Sequence, residues 1–201
     1  MSSTVADAVE SVRAGGLIVL PTDTVYGIGC LPSDAAAIDR LFQAKRRPRD
    51  LVLPVLVDGI ATAERLAQID TRARRLAERF WPGALTLVLP RSEQSAAWQL
   101  GGAQDAGRGA EPATIGLRVP DSETALEILR AAGPLAVTSA NLSGEPTPAS
   151  CEEVRAAFGS AVAAYLCDDE QIGGRASTVV DAASGRILRH GNLAEEIAKL
   201  L

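Results

Sequence analysis

Short aliphatic runs bounded by glycine or proline constrain the fold of this chain more than any other feature. Such runs are too short for stable helices and are typical of strands buried in a sheet. Segments with the apolar spacing of amphipathic helices alternate with them, and this alternation predicts the α/β class. The predicted strands are Leu17–Leu20, Val52–Val57, Leu85–Leu89, Ile115–Val119 and Leu135–Thr138.

Capping signals mark the helices between these strands. Side chains that accept hydrogen bonds from free backbone N–H groups are favoured at helix starts, and glycine is favoured just after helix ends. Gly15 is therefore predicted to end the first helix. The predicted starts are Ser3 or Thr4, Ser33, Asp121, Ser150 with Glu153 as a capping box, and Asn192 with Glu195.

The last two strands are predicted to form a hairpin. Thr178–Asp181 and Arg186–Arg189 are separated by only Ala182–Gly185, so the sheet should be mixed rather than purely parallel. A chain of 201 residues can bury one hydrophobic core, and its composition does not require a second. We therefore expect a single domain over residues 1–201, with a mixed sheet flanked by helices.

Composition excludes several classes of protein. A net charge of −5 weighs against a chain whose whole surface binds a nucleic-acid backbone. Cys30, Cys151 and Cys167 form no C-x-x-C pair, which argues against a zinc knuckle or a disulfide framework and predicts packed thiols. With His190 as the only histidine, we expect no metal site built by the protein. Since Met1 to Gly15 contains no continuous apolar stretch, we expect a cytoplasmic protein without membrane attachment.

The segment Arg91–Ala113 differs from the rest of the chain. It is rich in glycine and scattered polar residues and has no usable hydrophobic period, which predicts a long mobile surface loop. Two interpretations stay open at this point. The loop is either a lid that excludes water from a site or an insertion without function.

The first polar motif is Leu20–Gly29, where a predicted strand ends in proline and continues into hydroxyl side chains and a carboxylate. Strand ends are where open α/β sheets bind ligands. Thr22, Thr24 and Tyr26 fall at alternate positions, so in an extended segment their hydroxyls would share one face. Both a binding loop and an ordinary polar turn are compatible with this pattern.

Lys45 and Arg47 form the second motif, next to Pro48 at the end of the helix that begins near Ser33. Proline stops the helix and leaves both charges at an exposed helix end on irregular backbone. An arginine fork with a lysine point charge suits a polyphosphate. The alternative is a solvated cationic helix end that stabilises only its own dipole.

Two further polar features lie at the end of a predicted strand or inside one. Thr138–Gly144 crowds small hydroxyl and amide side chains at a strand exit, where backbone N–H groups can approach a phosphate closely. Arg118 lies inside an aliphatic strand, and a buried arginine needs a carboxylate partner. That partner is either an internal Asp or Glu or the carboxylate of a substrate.

Taken in order, these motifs resemble the YrdC/TsaC family over about Gly16 to Gly191. The resemblance implies a twisted α/β fold with a basic concave cavity, in the short form of the family without an additional C-terminal domain. It also implies an enzyme that makes threonylcarbamoyl-AMP and pyrophosphate from L-threonine, bicarbonate and ATP, for the threonylcarbamoyladenosine modification of tRNA. The segments that carry it are Pro21–Gly27, Lys45–Pro48, Trp81–Gly83 with Leu85–Leu87, Leu117–Pro120, Ser139–Gly144, Ser177–Asp181 and Ile187–Arg189.

The resemblance also assigns site residues. It implies catalytic roles for Lys45 and Arg47. The nucleotide site that it implies comprises Lys45, Arg47, Thr114, Ser139, Ala140, Asn141 and Arg189. The threonine site comprises Thr24, Arg118, Thr138 and Ser177, and we expect Tyr26 to join them on the face of Thr24. Leu51 and Leu56 depart from the family pattern, which often has a polar residue and a histidine there.

The chemistry of the family implies further partners. Mg²⁺ would arrive with ATP, and tRNA threonylcarbamoyl-transferase proteins would use the product. Two rival functions stay open: weak binding of double-stranded RNA in the basic cavity, and the carbamoyltransferase of hydrogenase maturation. The acidic net charge disfavours the first. The second occurs in larger chains with zinc-finger cysteines, and this chain has no C-x-x-C pair.

Overall fold

The structure is a computed structural model that describes residues 3–102, 114–167 and 174–201. Its strands are β1 (Ile18–Leu20), β2 (Gly27–Cys30), β3 (Val55–Leu56), β4 (Leu85–Pro90), β5 (Thr114–Arg118), β6 (Leu135–Ser139), β7 (Ala164–Tyr165), β8 (Thr178–Asp181) and β9 (Ile187–Arg189). They form a nine-stranded sheet with the order β7-β1-β2-β6-β3-β5-β4-β8-β9.

The sheet is mixed, as the sequence predicts. β1 pairs with β7, β3 with β5 and β4 with β8 in parallel, whereas the other neighbours are antiparallel. The predicted hairpin of β8 and β9 is confirmed. The core on the sheet is mainly aliphatic, because few aromatic residues are available to fill it.

Helices flank the sheet. They are α1 (Val5–Arg13), α2 (Ala35–Ala44), α3 (Ile60–Leu66), α4 (Thr71–Phe80), α5 (Glu93–Ala96), α6 (Glu123–Ala132), α7 (Cys151–Phe158) and α8 (Ala194–Ala198). Thr4 caps α1 through a reciprocal capping box with Asp7, and Gly15 follows the helix with a φ of 82°. These two predictions are confirmed.

Other helix starts differ from the prediction by small shifts. Asp34 rather than Ser33 caps α2, and Ser122 rather than Asp121 caps α6, since both pairs of neighbours are good capping residues. Ser150 caps α7 as predicted, but the Glu153 carboxylate accepts its hydrogen bond from Ala149 N–H, one residue earlier than in a capping box. The predicted Asn192 cap is wrong, because α8 begins after Leu193 without a side-chain cap.

The prediction of packed thiols is wrong for two of the three cysteines. Cys151, the first residue of α7, and Cys167, which follows β7, form a disulfide. Their separation of 16 residues matches no metal-ligand pattern, so sequence alone gives no reason to pair them. Cys30 is the buried free thiol that was expected, and burial raises the pKa of its thiol to about 12.

We predict that this disulfide stabilises the fold. A crosslink across 16 residues reduces the entropy of the unfolded chain by an amount equivalent to about 3 kcal/mol. The double variant Cys151→Ser/Cys167→Ser should therefore unfold at lower denaturant than the oxidised wild type. Dithiothreitol should lower the midpoint of the wild type alone. Equal midpoints for oxidised protein, reduced protein and variant would contradict the prediction.

The predicted mobile loop at Arg91–Ala113 is wrong for its first part. Residues 91–102 contain α5, and Leu100 is fully buried. The backbone is fixed on the body of the protein, because Leu53 N–H donates to Leu100 O at 2.8 Å and Gly102 N–H donates to Arg49 O at 2.7 Å. The remainder of the loop, residues 103–113, lies outside the described residues.

Candidate functional site

A cavity of about 430 Å³ opens where the β1–β2 connection, the end of β6 and the β8–β9 hairpin approach one another. Strand order brings these distant segments together, with β4 and β5 between them at the floor. The predicted site residues that line the cavity are Thr24, Arg47, Thr114, Arg118, Thr138, Ser139, Ser177 and Arg189. Thus the structure gathers most of the sequence-predicted site into one place.

The β1–β2 connection is a turn rather than an extended segment. Thr22 Oγ1 donates to Val25 O at 2.6 Å and closes the bend over residues 23–25. Side chains at alternate positions therefore do not share one face here. Thr22 and Thr24 line the cavity, but Tyr26 is fully buried and is not among the lining residues. The prediction that Tyr26 shares the face of Thr24 is wrong, because the face alternates only in extended backbone.

Arg118 lies at the end of β5 and is held by three acceptors. Its side chain donates to Asp23 at 2.5 Å, to Thr24 Oγ1 at 2.9 Å and to Gly83 O at 2.9 Å. The internal partner that the sequence left open is therefore Asp23. Burial lowers the pKa of Arg118, while the charge of Asp23 and its hydrogen bond act in the opposite direction. The guanidinium still reaches the cavity, so it can also contact a ligand carboxylate.

Lys45 is not at an exposed helix end, and that prediction is wrong. Its residue is only 1% exposed, and it is not among the cavity-lining residues. The ammonium donates to Ser139 O and to Asn141 O, each at 2.5 Å. Burial lowers the pKa of Lys45 to about 7, and the charge of Arg47 acts in the same direction. Lys45 thus holds the backbone behind the cavity instead of facing into it.

Arg47 does face the cavity. Arg46, with a φ of 50°, turns the backbone out of the helix and redirects the next side chain. Arg47 Nη2 donates to Val52 O at 3.3 Å, but its Nε is buried and has no hydrogen-bond partner among the described residues. Burial lowers the pKa of Arg47, with Asp50 opposing the effect. A buried donor without an acceptor is costly, so this position favours a bound anion.

The end of β6 forms a rigid shelf at Ser139–Asn141. Ser139 Oγ donates to Asn141 Oδ1 at 2.6 Å, and Ala140 N–H donates to Tyr26 O at 2.8 Å. Ala140 is fully buried, and neither Ala140 nor Asn141 is among the lining residues. Of this motif, Thr138 and Ser139 reach the cavity, while Asn141 orients Ser139 and accepts from Lys45.

A hydroxyl that the sequence analysis missed completes the opposite wall. Thr86 on β4 is buried, lines the cavity and lies 2.8 Å from Ser177 Oγ. Arg189 donates to Ser177 O at 3.0 Å and to Ser177 Oγ at 2.9 Å. The sequence signal that could have identified Thr86 is its position as a lone threonine inside the aliphatic strand Leu85–Leu89. This wall fixes the direction of Arg189 toward the ligand space.

The cavity is electrostatically positive. Its lining includes the three arginines described above, whereas no Asp or Glu is among the described lining residues. Burial lowers the pKa of Arg189, and the charges of Arg118 and Arg47 lower it further. Asp23 forms an ion pair with Arg118, and Asp50 partly offsets the charge of Arg47, so the three arginines leave the lining with an excess of positive charge. The expected basic cavity is therefore present in the structure.

Leu56, one of the two departures from the family pattern, lies in the lining. Together with Val52 and Pro54 it makes one part of the wall apolar, where the family pattern often has a histidine. Leu51 is 42% exposed and does not line the cavity. The departure at Leu56 therefore affects the ligand space directly, whereas the departure at Leu51 does not.

Within residues 3–102, 114–167 and 174–201, no three His, Cys, Asp or Glu side chains are grouped closely enough to hold a metal ion. Over the same ranges, none of the helices has the length and apolar character that a bilayer crossing requires.

Comparisons with known proteins agree with the geometry. A Mycobacterium tuberculosis relative is 42% identical over 204 residues, which cover 98% of this chain and 88% of the relative. The structure of Pyrococcus abyssi Sua5 complexed with L-threonine is 37% identical with a TM-score of 0.85, over 98% of this chain and 57% of that one. Escherichia coli YciO is 26% identical with a TM-score of 0.82, over 96% of this chain and 97% of that one.

The Pyrococcus abyssi relative, 38% identical over 94% of this chain and 55% of its own length, is named threonylcarbamoyl-AMP synthase. The Sua5, YciO and YrdC family model, described as "Telomere recombination", matches residues 10–191. Because that match covers all nine strands of the sheet and every described segment that lines the cavity, the chain belongs to the Sua5/YciO/YrdC family.

Proposed function

We propose that this chain makes threonylcarbamoyl-AMP and pyrophosphate from L-threonine, bicarbonate and ATP, for the threonylcarbamoyladenosine modification of tRNA. The observation that carries the proposal is the cavity itself. Arg47 presents a buried donor that has no acceptor among the described residues, and Arg118 and Arg189 reach the same space among hydroxyl side chains. Relatives that cover nearly all of this chain are named for this reaction.

The nucleotide phosphates fit the side of the cavity formed by Arg47 and Arg189. Arginine forks suit phosphate oxygens, and charge that develops on those oxygens during transfer is stabilised by fixed cations. Ser139 lines the cavity as well, but its hydroxyl hydrogen goes to Asn141 Oδ1, so toward a ligand this oxygen acts as an acceptor. Lys45 acts one layer behind, since it fixes the backbone of Ser139 and Asn141. We therefore assign Lys45 a positioning role rather than direct contact with substrate.

Threonine fits beside Arg118. The guanidinium takes the carboxylate, while Thr24, Thr138 and Ser177 surround the remaining polar groups. The amine takes up the carbon dioxide that bicarbonate supplies, and the hydroxide of bicarbonate leaves as water with a proton of the amine. An oxygen of the resulting carbamate attacks the α-phosphorus of ATP. The bond to pyrophosphate breaks, and the adenylate remains. The protein aligns the reactants and stabilises charge, and no covalent enzyme intermediate is required.

Mg²⁺ enters this scheme as part of the ATP substrate. The part of the lining that the structure describes offers arginines and hydroxyls rather than carboxylates, so these residues fit the phosphates and not a resident metal. An ion that travels with ATP keeps most of its own water ligands and needs few from the protein.

Pyrophosphate release from ATP tests the proposal. We expect release only when L-threonine and bicarbonate are both present, and we expect mass spectrometry to detect threonylcarbamoyl-AMP as the second product. Omitting each substrate in turn is the control. Release that is independent of threonine, or release of phosphate instead of pyrophosphate, would overturn the proposal.

RNA binding is the second candidate, because the cavity carries excess positive charge. A protein that neutralises phosphates loses affinity steeply as salt rises. Salt-sensitive binding of duplex RNA without pyrophosphate release would favour that function over the enzyme. The acidic net charge of −5 argues that any such binding is weak.

The proposed reaction belongs in the cytoplasm, where ATP and tRNA meet, and its product would pass to tRNA threonylcarbamoyl-transferase proteins. Cytoplasmic thiols keep most disulfides reduced. Since Cys151 and Cys167 do not line the cavity, activity should not require their disulfide.

A further inference from the structure

The disulfide between Cys151 and Cys167 lies outside the cavity lining and has no part in the proposed reaction. The fold places the two Cα atoms 5.7 Å apart, within the range that a disulfide spans without movement of the backbone. Both residues are half-buried, so small molecules in solution can reach the sulfur atoms. The bond can therefore open and close while the rest of the fold stays in place.

The surroundings of Cys151 favour a negative charge on its sulfur. Cys151 is the first residue of α7, where free N–H groups and the helix dipole stabilise a thiolate. Arg155 lies four residues further along, on the same face of the helix. Its guanidinium carbon is 4.3 Å from the centre of the Tyr165 ring, at the end of the strand that leads to Cys167. A helix start and a cation thus act together at this pair.

Two carboxylates in the first turn of α7 act in the opposite direction. Glu153 accepts a hydrogen bond from Ala149 N–H at 2.9 Å, and Glu152 and Glu153 are both exposed, so water and salt screen their charges. Cys167, in contrast, follows the two-residue strand β7, and a strand end has no comparable dipole. Cys151 is therefore the more reactive thiol of the two.

We propose that Cys151 and Cys167 form a reversible redox modification site whose reagent is a small-molecule disulfide, with Cys151 as the attacking thiol. The Cys151 thiolate attacks one sulfur of the reagent, a mixed disulfide forms, and the first small-molecule thiolate leaves. The Cys167 thiolate then attacks the sulfur of Cys151 and expels the second. Two electrons pass from the protein to the reagent, and the protons that the two cysteines release end on the two small-molecule thiols.

The site couples the stability of the fold to the balance of thiols and disulfides around the protein. Closure of the bond fastens α7 to β7, which is an edge strand of the sheet. It also restricts the unfolded chain, so the oxidised form should resist denaturant better than the reduced form. Since neither sulfur lines the cavity, this inference does not depend on the proposed function.

A glutathione titration tests whether the site is reversible. The wild type is equilibrated with mixtures of reduced and oxidised glutathione, its free thiols are alkylated under denaturing conditions, and its mass is measured. We expect three alkylated cysteines in the most reducing mixture and one, Cys30, in the most oxidising mixture. A disulfide that stays closed in the first mixture, or a pair of thiols that stays open in the second, would overturn the inference.

Single-cysteine variants test the role of Cys151. In Cys167→Ser, the mixed disulfide of Cys151 with glutathione should form at least about threefold faster than that of Cys167 in Cys151→Ser. In denaturant the two rates should agree, because the helix is then lost. Cys30 is the internal control, since burial raises the pKa of its thiol to about 12 and it should stay unmodified in the folded protein.

Arg155 provides the second readout. In the Cys167→Ser background, Arg155→Met should slow the reaction of Cys151, and Arg155→Lys should restore most of the rate, because the charge of the side chain is required. Circular dichroism identifies the variants that remain folded. If Cys167 reacts as fast as Cys151 in the folded single variants, the helix start does not activate Cys151 and its assigned role is wrong.

Discussion

An Arg118→Met variant should lose most of its affinity for threonine and a large part of its stability. Loss of a charged, two-pronged contact with a carboxylate corresponds to about 3–5 kcal/mol, so the KM for threonine should rise more than about a hundredfold. The variant also leaves Asp23 without its ion-pair partner, and breaking a buried pair destabilises by about 3–5 kcal/mol. Here the lower value applies, because the side chain of Asp23 is 16% exposed and Asp121 N–H still donates to it at 2.9 Å.

The double variant Asp23→Asn/Arg118→Met separates the two effects. Removing the orphaned charge should restore most of the unfolding free energy, whereas the affinity for threonine should stay low. Arg130→Met is the matched control, since Arg130 is half exposed and its loss should change stability by no more than about 0.5 kcal/mol. Recovery of threonine affinity in the double variant would show that Arg118 serves only the fold.

Lys45→Met should lower the rate of pyrophosphate release about a hundredfold or more. Without the ammonium, Asn141 O loses its donor and the shelf that holds Ser139 is free to shift, and small displacements of an aligning group cost this much in rate. Stability should also fall, by about 1–3 kcal/mol, for a buried acceptor left unpaired. Arg47→Met is the comparison. Because the Arg47 side chain is only half-buried, its replacement should lower the activity with little loss of stability.

The stability of the wild type relative to Lys45→Met should depend on pH. Burial lowers the pKa of Lys45 from its usual 10.5 to about 7. Between these values the unfolded chain binds a proton that the native chain has released, so the contribution of Lys45 to stability increases as pH rises. Thermal melts at pH 6 and pH 9 should show a wider gap between wild type and variant at pH 9. A gap that narrows or stays constant would contradict the burial of the charge.

The local hydrophobic pattern of the sequence predicts much of the sheet but does not reveal every strand. The aliphatic runs correspond to strands, whereas β2 was missed because its sequence, Gly27–Cys30, contains two glycines. Those glycines are required by packing: a Cβ at Gly27 would lie 2.6 Å from Val137 Cγ1. β7 was missed because it has only two residues, Ala164 and Tyr165, and these, unlike the two residues of β3, are not part of a predicted aliphatic run.

The sequence predicts most residues of the candidate site, but it does not predict which of them line the cavity and which lie behind it. The motif resemblance gathers the residues, and the structure brings most of them to one cavity. Nothing local could place Lys45 behind it, since lysine is almost never fully buried and the acceptors of Lys45 lie more than ninety residues away, at Ser139 and Asn141. Thr86 was missed for a related reason, because its partner Ser177 is 91 residues further along the chain.

These long sequence separations have a consequence for folding during synthesis on the ribosome. β1 pairs with β7, whose residues are synthesised more than a hundred positions later. Asp23 pairs with Arg118, which is synthesised 95 residues after it. Contacts of such range form late, because the chain between them must first be ordered. The early strands therefore leave the ribosome with unpaired edges and aliphatic faces, the condition in which nascent chains most need chaperones.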